Sequence, residues 1–217
     1  MIILQYLGYL LPYLTIVYIV YMIFKYRKEF YRILKPYQEA EKISQEVKEK
    51  LNEIKDMDSI SEKISIFDEW LKNNTNSSGY FQEIKQAWDK YHKKYIKMQQ
   101  SGITYTPDVY DYFLEESFVQ KYGHRKFAEV IPGIFLAMGI LWTFFSIAVS
   151  VAGLNVGGDA AELKTGIGVL LKGMTVKFIS SIIGILLSIS WHFKDKNKYY
   201  LILVDSFNSL RDSLDEA

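Results

Sequence analysis

Residues 131–156 read IPGIFLAMGILWTFFSIAVSVAGLNV and carry no charged side chain. A second apolar segment, residues 165–193, reads TGIGVLLKGMTVKFISSIIGILLSISWHF and contains no acid. A helix that crosses a bilayer needs about 20 mostly apolar residues, and each segment exceeds that length. We therefore expect an all-α membrane protein in which these two segments form neighbouring spans.

The beginning of the chain predicts a third span. Residues 1–24 are rich in Leu, Ile, Val and Tyr, and a basic cluster occupies residues 25–35 directly after them. A secretory signal peptide is the alternative, but no basic stretch precedes the apolar run and no small-residue cleavage motif follows it. We predict an uncleaved transmembrane helix, with a kink expected at Pro12.

Basic residues predict the orientation, since the cytoplasmic flanks of membrane spans are enriched in Lys and Arg. Such residues follow the first span, precede the second at residues 121–126 and follow the third at residues 194–198. The loop at residues 155–163 contains Asp159 and Glu162 and no base. This pattern predicts a multi-pass protein of the inner (plasma) membrane, with its N-terminus outside and its C-terminus in the cytoplasm.

The chain is therefore expected to divide into four parts. Transmembrane helix 1 occupies residues 1–24, a cytoplasmic helical domain residues 25–125, and transmembrane helices 2 and 3 residues 126–193. A cytoplasmic helical tail follows at residues 194–217, and its uncapped end is compatible with a longer native chain.

Apolar residues at helical spacing predict three helices in the cytoplasmic domain, the second capped by Asp58 or Ser59. A short helix is expected at residues 110–119. The apolar positions are Ile43, Val47, Leu51 and Ile54, then Ile60, Ile64, Phe67 and Leu71, then Phe81, Ile84, Trp88, Tyr91 and Tyr95, and in the tail Leu201, Val204, Phe207 or Asn208, and Leu210 or Leu214. We interpret these stripes as packing among the helices; a docking surface for a soluble partner is the alternative.

Composition argues against several classes of function. The chain has 217 residues, no cysteine and a formal net charge of +1, so neither thiolate metal sites nor a basic nucleic-acid-binding face is expected. The histidines His92, His124 and His192 are scattered, and no triad, metal or phosphate-loop pattern occurs. We expect no enzymatic activity, no catalytic residue, no metal site, no cofactor and no direct contact with nucleic acid.

Small and polar residues form a stripe along each of the last two spans. The stripes consist of Gly139, Thr143, Ser146 and Ser150, and of Gly173, Lys177, Ser181, Gly184 and Ser188, with Ser180 beside them. Such stripes form tight packing seams between membrane helices, and hydroxyl groups bond across them. The other interpretation is an ion pathway, in which Thr143 and Ser181 offer oxygen atoms to an ion. Both interpretations remain open at this point.

Ion movement through a membrane needs a titratable or coordinating group, and these two spans contain no Asp or Glu. If the chain moves ions, a second protein is expected to supply the carboxylate. Lys177 is expected either to extend towards the membrane interface or to pair with an acid of that partner.

The three-span arrangement and two motifs resemble the MotA/TolQ/ExbB proton-channel family. Residues 131–146, IPGIFLAMGILWTFFS, are similar to its proline-led helix followed by Gly-x-Leu-Gly-Thr-Phe-x-Gly, and residues 173–188, GMTVKFISSIIGILLS, to its Ala-x-x-Thr-x-x-Gly helix. The approach segment DYFLEESFVQKYGHRKFAEVIPG, residues 111–133, is most similar to the ZorA branch of Zorya anti-phage defence systems.

The resemblance implies a homopentamer in the lipid membrane around a dimer of single-span partners of the MotB, ExbD or ZorB kind, whose Asp takes the proton. It implies transport of H⁺ or Na⁺ coupled to rotation. By position, Thr143 and Ser181 correspond to the pore threonines, Pro132 to the proline opening span two, and Gly184 to the glycine of close packing; Ser180 and Ser146 join the proposed ion pathway, and Gly139 the packing seam.

This chain also departs from the family pattern. Trp142 and Ser146 stand where glycines are usual, Val176 stands where the ExbB branch has an acid, and Lys177 replaces a small residue. ZorA proteins have a long cytoplasmic tail, so the short tail here implies a truncated chain or a short-tailed relative.

We therefore expect an ion-driven motor or stator channel subunit, acting in anti-phage defence. Two alternatives stand beside it. One is a non-conducting membrane scaffold that recruits a cytoplasmic effector, which Trp142 and Lys177 would favour by blocking the path. The other is an energiser of another envelope process, similar to ExbB or TolQ.

Overall fold

A computed structural model describes residues 2–152 and 160–217 of the protein. Within these residues the chain forms seven α-helices: α1 (Ile2–Glu29), α2 (Pro36–Ile54), α3 (Ile60–Asn73), α4 (Gly79–Gln100), α5 (Arg125–Ala152), α6 (Ala160–Lys194) and α7 (Tyr200–Glu216). Short helical turns join them: π-helical turns at Phe30–Leu34, Glu116–Lys121 and Asp195–Tyr199, and a 3₁₀ turn at Val109–Asp111. The expected all-helical fold is thereby confirmed.

Three helical stretches among the described residues are long and apolar enough to cross a membrane. They include α1 from Leu10, the whole of α5, and α6 from Met174, in the three regions that the sequence predicts. Apolar side chains remain more than half exposed on all three, among them Val20, Leu141 and Ile189. Such surfaces suit contact with lipid or with another membrane helix. The chain is therefore a membrane protein; its orientation stays a prediction, and the predicted outer loop at residues 155–163 lies largely outside the described residues.

The chain divides into two compact units. The membrane unit contains the described residues up to Phe30 and those from Glu129 to Lys194. Its helix α5 begins at Arg125, two turns before Pro132. Pro132 therefore lies inside the helix rather than at its opening, because the preceding residues continue the helical pattern.

The second unit, which we call the helical domain, contains Tyr31–Ala128 and Asp195–Ala217. Its core includes the whole predicted apolar stripes of α2 and α4, all of them buried. Ser59, the second of the two caps considered, begins α3 and accepts a hydrogen bond from the Glu62 backbone N–H. Phe118 stacks on Phe207 with ring centroids 5.1 Å apart, which joins the segment before α5 to α7.

Three details of the helical domain differ from the predictions. Ile60 is 54% exposed, because it is the first residue of α3 and lies at the end of its buried stripe. The helix expected at residues 110–119 is replaced by the 3₁₀ turn, capped by Asp108, and by a π-helical turn.

The third difference concerns α7, which buries Leu203, Phe207, Leu210 and Leu214 and leaves Leu201 49% exposed. These four positions repeat at intervals of four, three and four residues, and Leu201 lies two residues before the first of them, on another face of the helix.

Candidate functional site

Helices α5 and α6 touch through two glycines. A Cβ atom placed on Gly139 would lie 2.8 Å from the Ser180 carbonyl oxygen, and one placed on Gly184 would lie 2.7 Å from the Phe135 carbonyl oxygen. Both distances are too short for a real side chain, so any residue larger than glycine would force the backbones apart. Small residues permit this close contact between membrane helices, and it holds the polar stripes of the two helices against each other.

The hydroxyl of Thr143 lies in the contact, one turn beyond Gly139. Its Oγ1 is 3.0 Å from the Ser180 Oγ, 3.0 Å from the Gly139 carbonyl oxygen and 3.1 Å from the Lys177 carbonyl oxygen. Ser180 in turn donates to the Lys177 carbonyl oxygen at 2.8 Å. Both hydroxyl side chains are buried. A threonine hydroxyl has one proton and two lone pairs, so these partners satisfy it within the chain.

Ser181, the residue paired with Thr143 in the sequence analysis, lies differently. Its side chain is half-buried, and its Cα would lie 3.2 Å from a Cβ on Gly139. The structure therefore brings Thr143 together with Ser180, which was the neighbouring member of the predicted set. Ser181 lies beside this contact, with part of its surface open.

Lys177 is the charged residue of the contact. Its side chain is 5% exposed, and its ammonium donates to the Ser150 hydroxyl on α5. Ser146 is fully buried, and its hydroxyl has no hydrogen-bond partner among the described residues. Thr143 and Ser150, one turn to either side of Ser146, both bond to Lys177. The Lys177 side chain thus runs along α5 from the level of Thr143 to that of Ser150, two residues before the described end of that helix.

We call these six residues the polar seam: Gly139, Thr143, Ser146 and Ser150 of α5, with Lys177 and Ser180 of α6. It is the arrangement in the membrane unit that offers several oxygen atoms and one cation at close range. Gly173 of the predicted α6 stripe lies outside the described side chains.

Trp142 does not face the polar seam. Its indole N–H donates to the Thr15 hydroxyl of α1 at 3.0 Å, and its ring stacks on Tyr18 with centroids 4.3 Å apart. Tyr18 also donates to the Met138 carbonyl oxygen at 3.0 Å. The indole therefore joins α1 to α5 on another side of the helix. Thr15 was not singled out from the sequence, although a hydroxyl in an apolar span was a usable signal.

A buried ion pair in the helical domain was also missed. Arg125, the first residue of α5, binds Asp195, the residue after α6, and its guanidinium lies 4.2 Å from the centre of the Tyr200 ring. Asp195 is the one acid in the basic run at residues 194–198, which was the signal available in the sequence.

Among the described residues, no cluster of three or more His, Asp or Glu side chains is placed to hold a metal ion. The chemistry that the polar seam offers is that of hydroxyl groups, backbone carbonyl oxygens and an ammonium group. Such groups coordinate small cations, relay protons or bind a carboxylate.

Comparison with known proteins gives a partial match. No family model matches the chain. The chain is similar to the Zorya protein ZorA of Escherichia coli, with 36% identity over 72 residues. The match covers 33% of this chain and 12% of that relative, so this chain spans only a small part of the relative's length. The similarity agrees with a ZorA-like relation of one segment.

Proposed function

We propose that this chain is the channel subunit of an ion-driven motor or stator, related in function to ZorA and acting in anti-phage defence. In this proposal five copies surround a dimer of single-span partners of the MotB, ExbD or ZorB kind in the inner membrane. The partner contributes an aspartate within the membrane, and passage of H⁺ or Na⁺ drives rotation. The chain itself catalyses no reaction on a substrate and carries no cofactor.

The observation that carries the proposal is the buried contact between the hydroxyls of Thr143 and Ser180 across α5 and α6. Polar groups inside membrane helices are costly and mark ion routes when they are clustered. Here a cluster of hydroxyl and carbonyl oxygens occurs in spans that contain no acid. An acid from another chain would complete the set, and the ZorA similarity supports such an assembly.

In the proposed route, Thr143 and Ser180 form the inner oxygen pair and Ser181 lies on the open side of α6. Ser146 offers a further hydroxyl, for which residues 2–152 and 160–217, as far as they are described, provide no partner. Gly139 and Gly184 hold the helices close, and Pro132 shapes the earlier part of α5. Trp142 contacts α1, so it would support the bundle without obstructing the route.

The test is ion flux in cells that make this chain together with a single-span membrane protein of the ZorB kind. An intracellular pH or Na⁺ indicator reports the flux. We expect Thr143→Val and Ser180→Ala to abolish flux while the two proteins still copurify. Thr175→Val is the matched control, because Thr175 is an exposed threonine on α6. Full flux in both seam variants would contradict the ion route.

A second candidate is a non-conducting scaffold that recruits a cytoplasmic effector. Lys177 favours it, since a buried ammonium inside the polar seam repels other cations. In that case the wild-type pair would assemble, protect cells from phage and conduct no ion. Counting the subunits by native mass spectrometry tests the pentamer separately.

A further inference from the structure

The ammonium of Lys177 is incompletely satisfied. An ammonium group has three N–H donors, and among the described residues its one hydrogen-bond acceptor is the Ser150 hydroxyl. The Lys177 side chain is 95% removed from solvent, being 5% exposed. A charge inside a membrane protein is normally paired, because burying it alone is costly. The described side chains of the membrane unit place no carboxylate in contact with Lys177.

The polar seam also contains a hydroxyl group beside this cation that is available for a further hydrogen bond. Ser146 is fully buried, and in the part of the chain that the structure describes its hydroxyl has neither a donor nor an acceptor partner. It shares a face of α5 with Ser150, whose side chain is half-buried and so lies at the edge of the seam. The Lys177 ammonium bonds to Ser150 and so lies near that edge.

A cation and hydroxyl donors at the edge of an apolar bundle suit an anion with two oxygen atoms. We propose that Lys177, with Ser150 and Ser146, receives a carboxylate carried by a membrane helix of another chain. The proposal rests on the proposed function, because it requires a single-span partner with an acid inside the membrane. It assigns that acid a definite contact: its oxygens accept from the Lys177 ammonium and from a seam hydroxyl.

The burial of Lys177 favours this occupant over a lipid phosphate. A lysine that serves lipid headgroups places its charged end at an open surface. Lys177 is 5% exposed, and its ammonium bonds to a residue of the contact between α5 and α6. A partner helix lying on α5 and α6 would meet the ammonium at Ser150.

The proposal makes opposite predictions for the free chain and for the complex. In the purified chain alone, Lys177→Met removes an unpaired buried charge, so the melting temperature should stay the same or rise. In the complex with a single-span membrane protein of the ZorB kind, the same variant should retain that partner at least about tenfold less well. Lys177→Arg keeps the charge and should retain the partner. Lys164→Met, at an exposed lysine of α6, is the matched control.

The measurements are partner retention after affinity purification and thermal melting. Each is made on protein in detergent and on protein in nanodiscs that contain phosphatidylglycerol. A structural role alone would make Lys177→Met lower the melting temperature of the free chain and the complex alike. That result overturns the proposal, as does undiminished retention or a wild-type chain that retains no partner. A loss seen only in the anionic nanodiscs would assign Lys177 to lipid headgroups instead.

Ion flux separates this proposal from the proposed function. A wild-type complex that conducts no ion, but loses its partner in Lys177→Met, would contradict the motor and leave the carboxylate contact standing. A conducting complex that Lys177→Met leaves intact would overturn the contact alone. Exchanging the charges, with Lys177→Asp and a lysine in place of the partner's acid, should restore retention.

Discussion

The guanidinium of Arg125 donates two hydrogen bonds to the carboxylate of Asp195, from Nη1 to Oδ1 at 2.5 Å and from Nη2 to Oδ2 at 3.1 Å. The side chains are 2% and 3% exposed, respectively. Arg125 begins α5 and Asp195 directly follows α6. The pair therefore ties together, within the helical domain, the two chain segments that lead into and out of the membrane unit.

Asp195→Asn should strongly destabilise the helical domain. The substitution leaves the Arg125 charge buried without its counterion, which typically costs about 3–5 kcal/mol. Thermal melting of the full chain in detergent, followed by far-UV circular dichroism, measures the effect. Asp205→Asn is the control, because Asp205 is an exposed acid on α7. Equal melting temperatures for the two variants would contradict the structural importance of the pair.

Gly139→Ala should weaken the contact between α5 and α6. The added methyl group would lie 2.8 Å from the Ser180 carbonyl oxygen and 3.0 Å from the Gly184 Cα, and neither backbone atom can move independently of its helix. Overpacking of this kind costs about 1–3 kcal/mol. Gly133→Ala on the same helix should be tolerated, since a Cβ there has no neighbour within 4 Å. Two measurements check this: the melting temperature in detergent and the yield of folded protein in membranes.

Trp142→Phe should reduce stability without ending function. The variant keeps an aromatic ring against Tyr18 and removes the hydrogen bond to Thr15, a loss of about 1 kcal/mol. Since the indole faces α1, ion flux in the coexpression assay should persist. Abolished flux in a folded Trp142→Phe protein would place the indole in the route after all.

Asp68 should make the helical domain sensitive to acid. Its carboxylate accepts from the Trp88 indole N–H at 3.1 Å and from Lys72, and His92 lies 3.1 Å away. Burial raises the pKa of Asp68, but the hydrogen bond from Lys72, the charge of His92 and the hydrogen bond from Trp88 together lower the pKa below its usual value.

Because the pKa of Asp68 is lower in the folded chain than in the unfolded chain, the ionised carboxylate stabilises the fold above the unfolded value of about 3.9. That contribution is lost as pH falls through the folded pKa. Asp68→Asn should therefore reduce the free energy of unfolding near neutral pH by about 1–3 kcal/mol and lower the melting temperature. On acidification, the melting temperature of the variant should fall less than that of the wild type. Melting from neutral pH to about pH 3 checks this. Asp89→Asn, at an exposed acid of α4, should keep the wild-type acid response.

The helices of the helical domain followed closely from periodicity. The apolar stripes of α2 and α4 are buried at every predicted position, because a helix that packs on one side repeats its contacts at three and four residues. Prediction failed at the start of α7, where Leu201 was assigned to the buried face although it lies about 200° from the buried Leu203 around the helix axis.

The sequence predicted which residues make up the candidate site but not which of them contact one another. Ser180 and Ser181 are adjacent on α6, about 100° apart around the helix axis, and either fits a stripe of small polar residues. Similarly, Trp142 is next to Thr143, and the sequence allowed either an indole in the seam or one outside it. The periodicity of a helix does not decide which of two adjacent residues faces the contact, because both lie near the same stripe.

The sequence by itself determined that three helices are long and apolar enough to span a membrane, since hydrophobic length depends only on composition and order. It also determined which hydroxyls and which lysine the last two spans carry. Only the tertiary structure decided which of them meet. The close approach of Gly139 and Gly184 sets the rotation of α5 against α6, and that rotation turns Ser180 to Thr143, Lys177 to Ser150 and Trp142 to α1. The tertiary structure also decided the pairing of Arg125 with Asp195, because residues far apart in sequence become neighbours only when the chain folds.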